Sequence, residues 1–281
     1  MILLRADGVS ARIDSDRGGR LASLAVGGRE LLVGPPDAHG RSLDWGCFLM
    51  APWVGRIADA QLAWRGRRHR LPRTMGRHAI HGVVYDRPWS IDGATADEAT
   101  LTCLLGDTAW PFAGLVRQHV SLAQDRLTMT AEIVADEPMP ASLGWHPWFA
   151  RGDGDVRLTV DAARTLELRA LIPTGRTRPV DERTDLRAGP PLGERALDDV
   201  YLDVVPPAIV RRQDVELRIG FDAPLTTLVI YTTPVAVCVE PQSAWPDATS
   251  LAARGRHETG LVELETGDRL AATMSWTWRL P

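Results

Sequence analysis

An all-β fold, a large antiparallel β-sandwich with few short helices, is what this 281-residue chain predicts. Three observations carry that expectation. Apolar residues recur with period two in short runs along most of the chain; clusters of Gly, Pro and Asp separate the runs; and no stretch of helical length sets apolar residues at i, i+3, i+4 and i+7. Strands that follow strands with little helix between them pack as antiparallel sheets, face to face.

The strands follow in chain order. LTCLLGD (101–107) stops at Gly106-Asp107, and LVRQHVSL (115–122) places Val116, Val120 and Leu122 on one face. RLTMTAEIVA (126–135) alternates from Leu127 to Ile133. VRLTVDA (156–162), TLELRAL (165–171) and VELRIGF (215–221) alternate in the same way. TTLVIYT (226–232) and VAVCVEP (235–241) run apolar on consecutive positions, as strands covered on both faces do. RLAATMSWTWRL (269–280) closes the series with Leu270, Ala272, Met274 and Trp276. Segments 182–200 and 245–260 are expected to hold a short turn each. The Pro-, Gly- and Arg-rich region 172–196 reads as a long excursion from the sheets, of the kind that is often functional. No repeat or low-complexity linker divides the chain, so residues 1–281 are expected to form one domain.

Composition removes several function classes. All 32 basic residues are Arg, and the chain has neither Lys nor Asn. Schiff-base chemistry, a pyridoxal-phosphate anchor and a phosphate-loop lysine are therefore excluded, as is a Cys-His-Asn triad. A formal charge of −4 without a sustained basic block argues against nucleic acid as a partner. No apolar run approaches the length of a membrane span, and MILLRADG is too short and too soon charged for a secretory signal, so a cytoplasmic location is expected. Cys47, Cys103 and Cys238 lie too far apart for a metal or redox motif and read as reduced and buried. There is no GxSxG, HExxH, GxGxxG or GxxxxGK[ST].

Five patches combine polar side chains with aromatic neighbours: APWVGRIADA with Arg56, RHAIHGVVYDRPW with His78 and His81, LGWHPWF with His146, ALDDVYLD with Asp198 and Asp199, and VCVEPQ with Glu240. Each also has a plain reading. Arg56 fits a solvated turn, and the two Asp fit turn acids before a strand. His78 and His81 are three apart, which on a strand sends them to opposite faces, so no metal site is expected. In LGWHPWF an extended backbone puts His146 and Trp148 on one face and Trp145 and Phe149 on the other; Pro147 points to a strand end or edge. Glu240 closes an apolar run where a carboxylate is costly unless paired or used, with Pro241 expected to end the strand. Trp53, Trp89, Trp145, Trp148 and Trp245 fall beside these groups, and flat aromatic faces near fixed polar groups suit sugars.

In this order, PWVGRI (52–57), HAIHG (78–82), LGWHPWF (143–149), ALDDVY (196–201) and VEPQSAWPDA (239–248) resemble the aldose 1-epimerase, or galactose mutarotase-like, family. The resemblance implies a galactose mutarotase-like supersandwich, to which the chain's start and end add strands, with a sugar site in an open groove on one sheet. It implies interconversion of hexose anomers without a cofactor. Glu240 would take the proton of the anomeric hydroxyl and His146 would protonate the ring oxygen, acid and base standing on opposite sides of the hemiacetal. Arg56, His81 and Asp198 would hold the ring by hydrogen bonds to its hydroxyls. The chain departs from the family pattern where Ala58 and Asp59 follow Arg56, and where Trp148 replaces the commoner Phe or Tyr.

Other readings stay open at this point. Six arginines in RGRRHRLPRTMGRH (65–78) suit an anionic sugar, phosphorylated or sulfonated. A sugar-binding protein without catalysis would keep the groove. Glycoside hydrolysis would pair Glu240 with Asp198 or Asp199 at a separation that sequence does not define. Either a monomer or a homodimer fits.

Overall fold

The computed structural model describes residues 1–35, 42–152 and 154–281. Among these residues two large antiparallel sheets dominate, as the alternation predicts, and the longest helix is the five-residue Ala248–Ala252. The first sheet has eleven strands. Its middle runs Arg20–Val26, Cys47–Met50, Gly144–Ala150, Ala236–Gln242, Thr227–Thr232 and Asp198–Leu202, each hydrogen-bonded to the next. The second has eight, from Ser90–Ala94 through Arg126–Ala135 and Arg269–Arg279 to Arg157–Asp161.

The sheets meet through a continuous apolar cluster that includes Leu4, Leu101, Met129, Tyr201 and Trp276. Trp145 and Phe149 point into it. The Phe149 ring lies 4.8 Å from that of Trp276. Trp145 Nε1 donates to Gln118 Oε1 at 3.0 Å, and Gln118 Nε2 donates to the Gly19 carbonyl at 2.9 Å, so this buried amide is satisfied on both ends. The opposite face of the same strand carries His146 and Trp148. All three cysteines are free and buried, and burial pushes the Cys103 thiol up to about 11 and those of Cys47 and Cys238 well above the usual range.

Three local expectations need correction. Ile172–Pro179 is a strand, paired with Arg164–Arg169 in a hairpin at the sheet edge, so the excursion begins only after it. An edge position explains how two prolines and a glycine are accommodated there. Pro147 lies in the centre of the sheet, between Cys47–Met50 and Ala236–Gln242. Pro241 does not end its strand, which continues to Gln242, with Pro241 opposite Leu228. Central prolines are tolerated here because they face a shared gap. The paired positions Gly144↔Gln242 and Trp148↔Cys238 have equal sums (144 + 242 = 148 + 238 = 386), so the register is continuous while the ladder is interrupted between them. Neither Pro147 nor Pro241 has an amide to donate to that gap.

Candidate active site

The gap in the ladder is where the polar residues gather. At a register sum of 386, His146 stands opposite Glu240 on the neighbouring strand. His146 Nε2 lies 3.2 Å from Glu240 Oε1, and Gln242 Nε2 donates to Glu240 Oε2 at 3.2 Å. Glu240 and Gln242 share a face because they are two apart on one strand. The His146 ring is held between Phe48 (4.8 Å, interplanar 26°) and Trp148 (5.3 Å, 9°). Ring stacking on both sides leaves it little freedom to turn.

His81 approaches from a loop, its ring 5.1 Å from and perpendicular to that of His146. Its backbone has φ +59°, a left-handed conformation that costs a non-glycine residue roughly 1 kcal/mol or more. Two contacts impose it. His81 N–H donates to the Gly55 carbonyl at 3.0 Å, and Gly82 (φ +81°) packs so tightly on Ala51 that a Cβ there would lie 1.9 Å from the Ala51 carbonyl oxygen. The HAIHG and PWVGRI segments are thus one unit, joined further by a short ladder pairing Arg56 with Ile80 and Ile57 with Ala79.

A cavity of about 330 Å³ opens over this cluster. Arg56, His81, His146, Asp198 and Glu240 all line it, together with Asp44, Met75, Trp148, Tyr231 and Gln242. His78 does not; its Nδ1 accepts the Asp59 amide at 3.1 Å. Asp199 turns away and takes a two-pronged hydrogen bond from Arg183 at 2.6 and 2.7 Å, which ties the loop before it to the strand. Of the five tryptophans expected near the sugar, only Trp148 lines the cavity. Trp53 stacks on Trp110, Trp89 Nε1 donates to the Val84 carbonyl, Trp145 faces the other sheet, and Trp245 packs with Leu166, Val200 and Leu251. Large apolar rings fill β cores before they line grooves, which is why proximity in sequence misled. Asp44, Tyr231 and Gln242 were missed. Only Gln242 had a usable signal, its place two residues beyond Glu240; Tyr231 arrives through strand pairing, opposite Asp198, and Asp44 from the bend before the Cys47–Met50 strand.

A family model described as aldose 1-epimerase matches residues 1–277. The chain belongs to the aldose 1-epimerase family. The uncharacterized protein YihR of Escherichia coli K12 is 29% identical over 139 residues, 47% of this chain and 44% of that protein, so the match spans less than half of that relative. Among solved structures, the GalM/aldose epimerase homologue of C. elegans superposes with a TM-score of 0.87 at 17% identity, covering 99% of this chain and 98% of that one. The Slr1438 protein of Synechocystis sp. PCC 6803 gives 0.79 at 22% identity, covering 100% and 96%. The galactose 1-epimerase of Lactobacillus acidophilus gives 0.79 at 18%, covering 97% and 92%. These structural likenesses concern the galactose mutarotase-like fold.

Burial governs the electrostatics of this family member's cavity. It raises the Glu240 carboxyl well above the usual carboxylate range, and the nearby Asp198 carboxylate adds to that, while Arg56 and the Gln242 hydrogen bond act against it. Burial also lowers His146 to about 3 and His81 well below the ordinary imidazole range. Asp198 is itself raised by burial, with Arg56 opposing. The pair at 3.2 Å therefore favours a neutral imidazole beside a protonated carboxyl, one proton between two groups. His81, His146 and Glu240 offer donor atoms within 4.8 Å of one another and are the described residues best placed to hold a cation. They supply three protein ligands, and both Glu240 oxygens already have partners in His146 and Gln242. The set fits a hydrogen-bonded pair better than a metal centre.

Proposed function

We propose that this protein is an aldose 1-epimerase acting on a hexose, with Glu240 and His146 exchanging protons with the anomeric and ring oxygens. The observation that carries the reading is the 3.2 Å His146–Glu240 contact at the floor of a cavity that Arg56, His81 and Asp198 also line. Glu240 and His146 stand side by side on adjacent strands. This suits the chemistry, since the anomeric and ring oxygens share one carbon and a neighbouring pair reaches both.

The proton count closes within the pair. In its charge-separated form, Glu240 carboxylate takes the anomeric hydroxyl proton, the C1–O1 bond becomes a carbonyl, the C1–O5 bond breaks and His146 imidazolium protonates O5. The pair is left as carboxylic acid and neutral imidazole, the form that burial favours. Rotation about C1–C2 presents the other carbonyl face. His146 then takes the O5 proton as O5 attacks C1, and Glu240 protonates O1. No outside acid, base or cofactor enters. Arg56, His81 and Asp198 hold the ring hydroxyls meanwhile.

A neutral sugar is the substrate class favoured. Among the described residues none of the six arginines of 65–78 lines the cavity, and Arg56, near Asp198 and Glu240, is the one arginine that does. The test follows freshly dissolved α-anomers of glucose, galactose and a hexose 6-phosphate by polarimetry or NMR saturation exchange. Wild type is expected to accelerate a neutral sugar and Glu240→Gln to lose that acceleration. Sugar binding without acceleration would overturn the enzymatic reading in favour of a binding protein, and turnover of the phosphorylated sugar alone would overturn the neutral one.

A further inference from the structure

The VEPQSAWPDA segment contributes more than its base. Asp247, seven residues beyond Glu240, is 2% exposed and sits at φ +55°. Its Oδ1 accepts the Ala58 amide at 3.0 Å and the Ser250 hydroxyl at 2.8 Å, while its own N–H donates to the Arg56 carbonyl at 2.8 Å. One residue thus grips the backbone on both sides of Ile57. Pro246 presses on the preceding turn, where a Cβ at Gly55 would lie 2.6 Å from the proline ring. The Arg56 guanidinium, by contrast, makes no hydrogen bond or ion pair with another of the described side chains. Its direction depends on the backbone that carries it. Asp247 does not line the main cavity.

We infer that Asp247 is a positioning residue: it fixes the Arg56–Ala58 turn so that the guanidinium enters the cavity pre-aimed at a sugar hydroxyl. The inference rests on the proposed sugar-holding role of Arg56. A charged donor aimed by a rigid turn loses less freedom on binding than one aimed by a mobile turn. The buried carboxylate of Asp247 acts as an acceptor, and an amide oxygen in the same place does the same work.

The test is a double-mutant cycle on sugar turnover. Asp247→Gly suits the left-handed backbone and removes the acceptor; Asp247→Asn keeps an acceptor at the same reach. Asp247→Gly is expected to raise KM roughly tenfold with a smaller change in kcat, and Asp247→Asn to stay near wild type. In an Arg56→Ala background, Asp247→Gly should add little. If its effect on KM is as large there as in wild type, the inference is overturned while the role of Arg56 stands. An unchanged KM in Arg56→Ala alone overturns both. Should Asp247→Gly fail to fold, Asp247→Glu, which displaces the acceptor by one methylene, serves in the same cycle with the same expected and overturning results.

Discussion

At the scale of single residues, the paired proton of Glu240 and His146 sets the pH behaviour. Below the depressed His146 value, near pH 3, both groups are protonated and no base remains; above the raised Glu240 value the base remains and the acid is gone. The rate should therefore be level through mildly acidic pH and fall on the alkaline side. Asp198 helps to raise Glu240, so Asp198→Asn should bring the alkaline fall to lower pH, read as a shift in the kcat/KM profile. A shift to higher pH would sink this account of the pair. Glu240→Gln should lower kcat by roughly 10²- to 10⁴-fold, the range of a lost general base.

Individual site residues were legible where chemistry and period agreed. His146, Glu240 and Asp198 each occupy a strand position whose face follows from parity. His81 could not be placed that way, because its left-handed backbone is imposed by Gly55 and Ala51, distant in sequence. That it and His78 face apart was visible; its arrival beside His146 was not.

At the scale of elements, alternation found nine strands of the two sheets between Glu98–Leu104 and Arg269–Arg279, but not Val9–Asp14, Arg20–Val26, Cys47–Met50, Ser90–Ala94 or Val205–Arg211. It failed where one residue type has two meanings. Proline marks strand edges in general, yet Pro147 and Pro241 sit at the centre of a sheet, beside the interruption in its ladder. Tryptophan beside a polar motif suggested a sugar platform, yet four of the five marked ones pack the interior. The glycine of HAIHG makes a prediction at this scale. Gly82→Ala puts a methyl into the Ala51 carbonyl at a positive φ, so it should destabilise by more than about 1 kcal/mol and displace His81. Urea denaturation beside kcat/KM checks both; a stable variant with full activity would show that the loop tolerates what the packing forbids.

At the scale of the whole molecule, the buried cavity groups give stability a maximum in pH. For His81, His146 and Glu240 alone, between 4.5 and 6.5 the unfolded chain binds two imidazole protons and the fold binds one carboxyl proton, a difference of +1. Stability from these groups rises with pH there, by about 1.4 kcal/mol per unit at most. Above 6.5 only the Glu240 proton counts, the difference is −1, and stability declines as pH rises toward the raised Glu240 value. Glu240→Gln removes that decline. It should melt higher than wild type, with a gap that widens from pH 6.5 to pH 8 in scanning calorimetry; a gap that narrows would mean the carboxyl is not held protonated.

His146 and Glu240 are 94 positions apart in the chain (240 − 146) and touch across one strand boundary. A chain emerging from the ribosome therefore carries its acid long before its base, and the two meet only when the Ala236–Gln242 strand docks in register. A slip of one residue would turn Glu240 into the apolar interior and leave the chemistry undone. Turnover during refolding would consequently time the docking of that one strand, making the sugar itself a clock for one long-range pairing in the sheet.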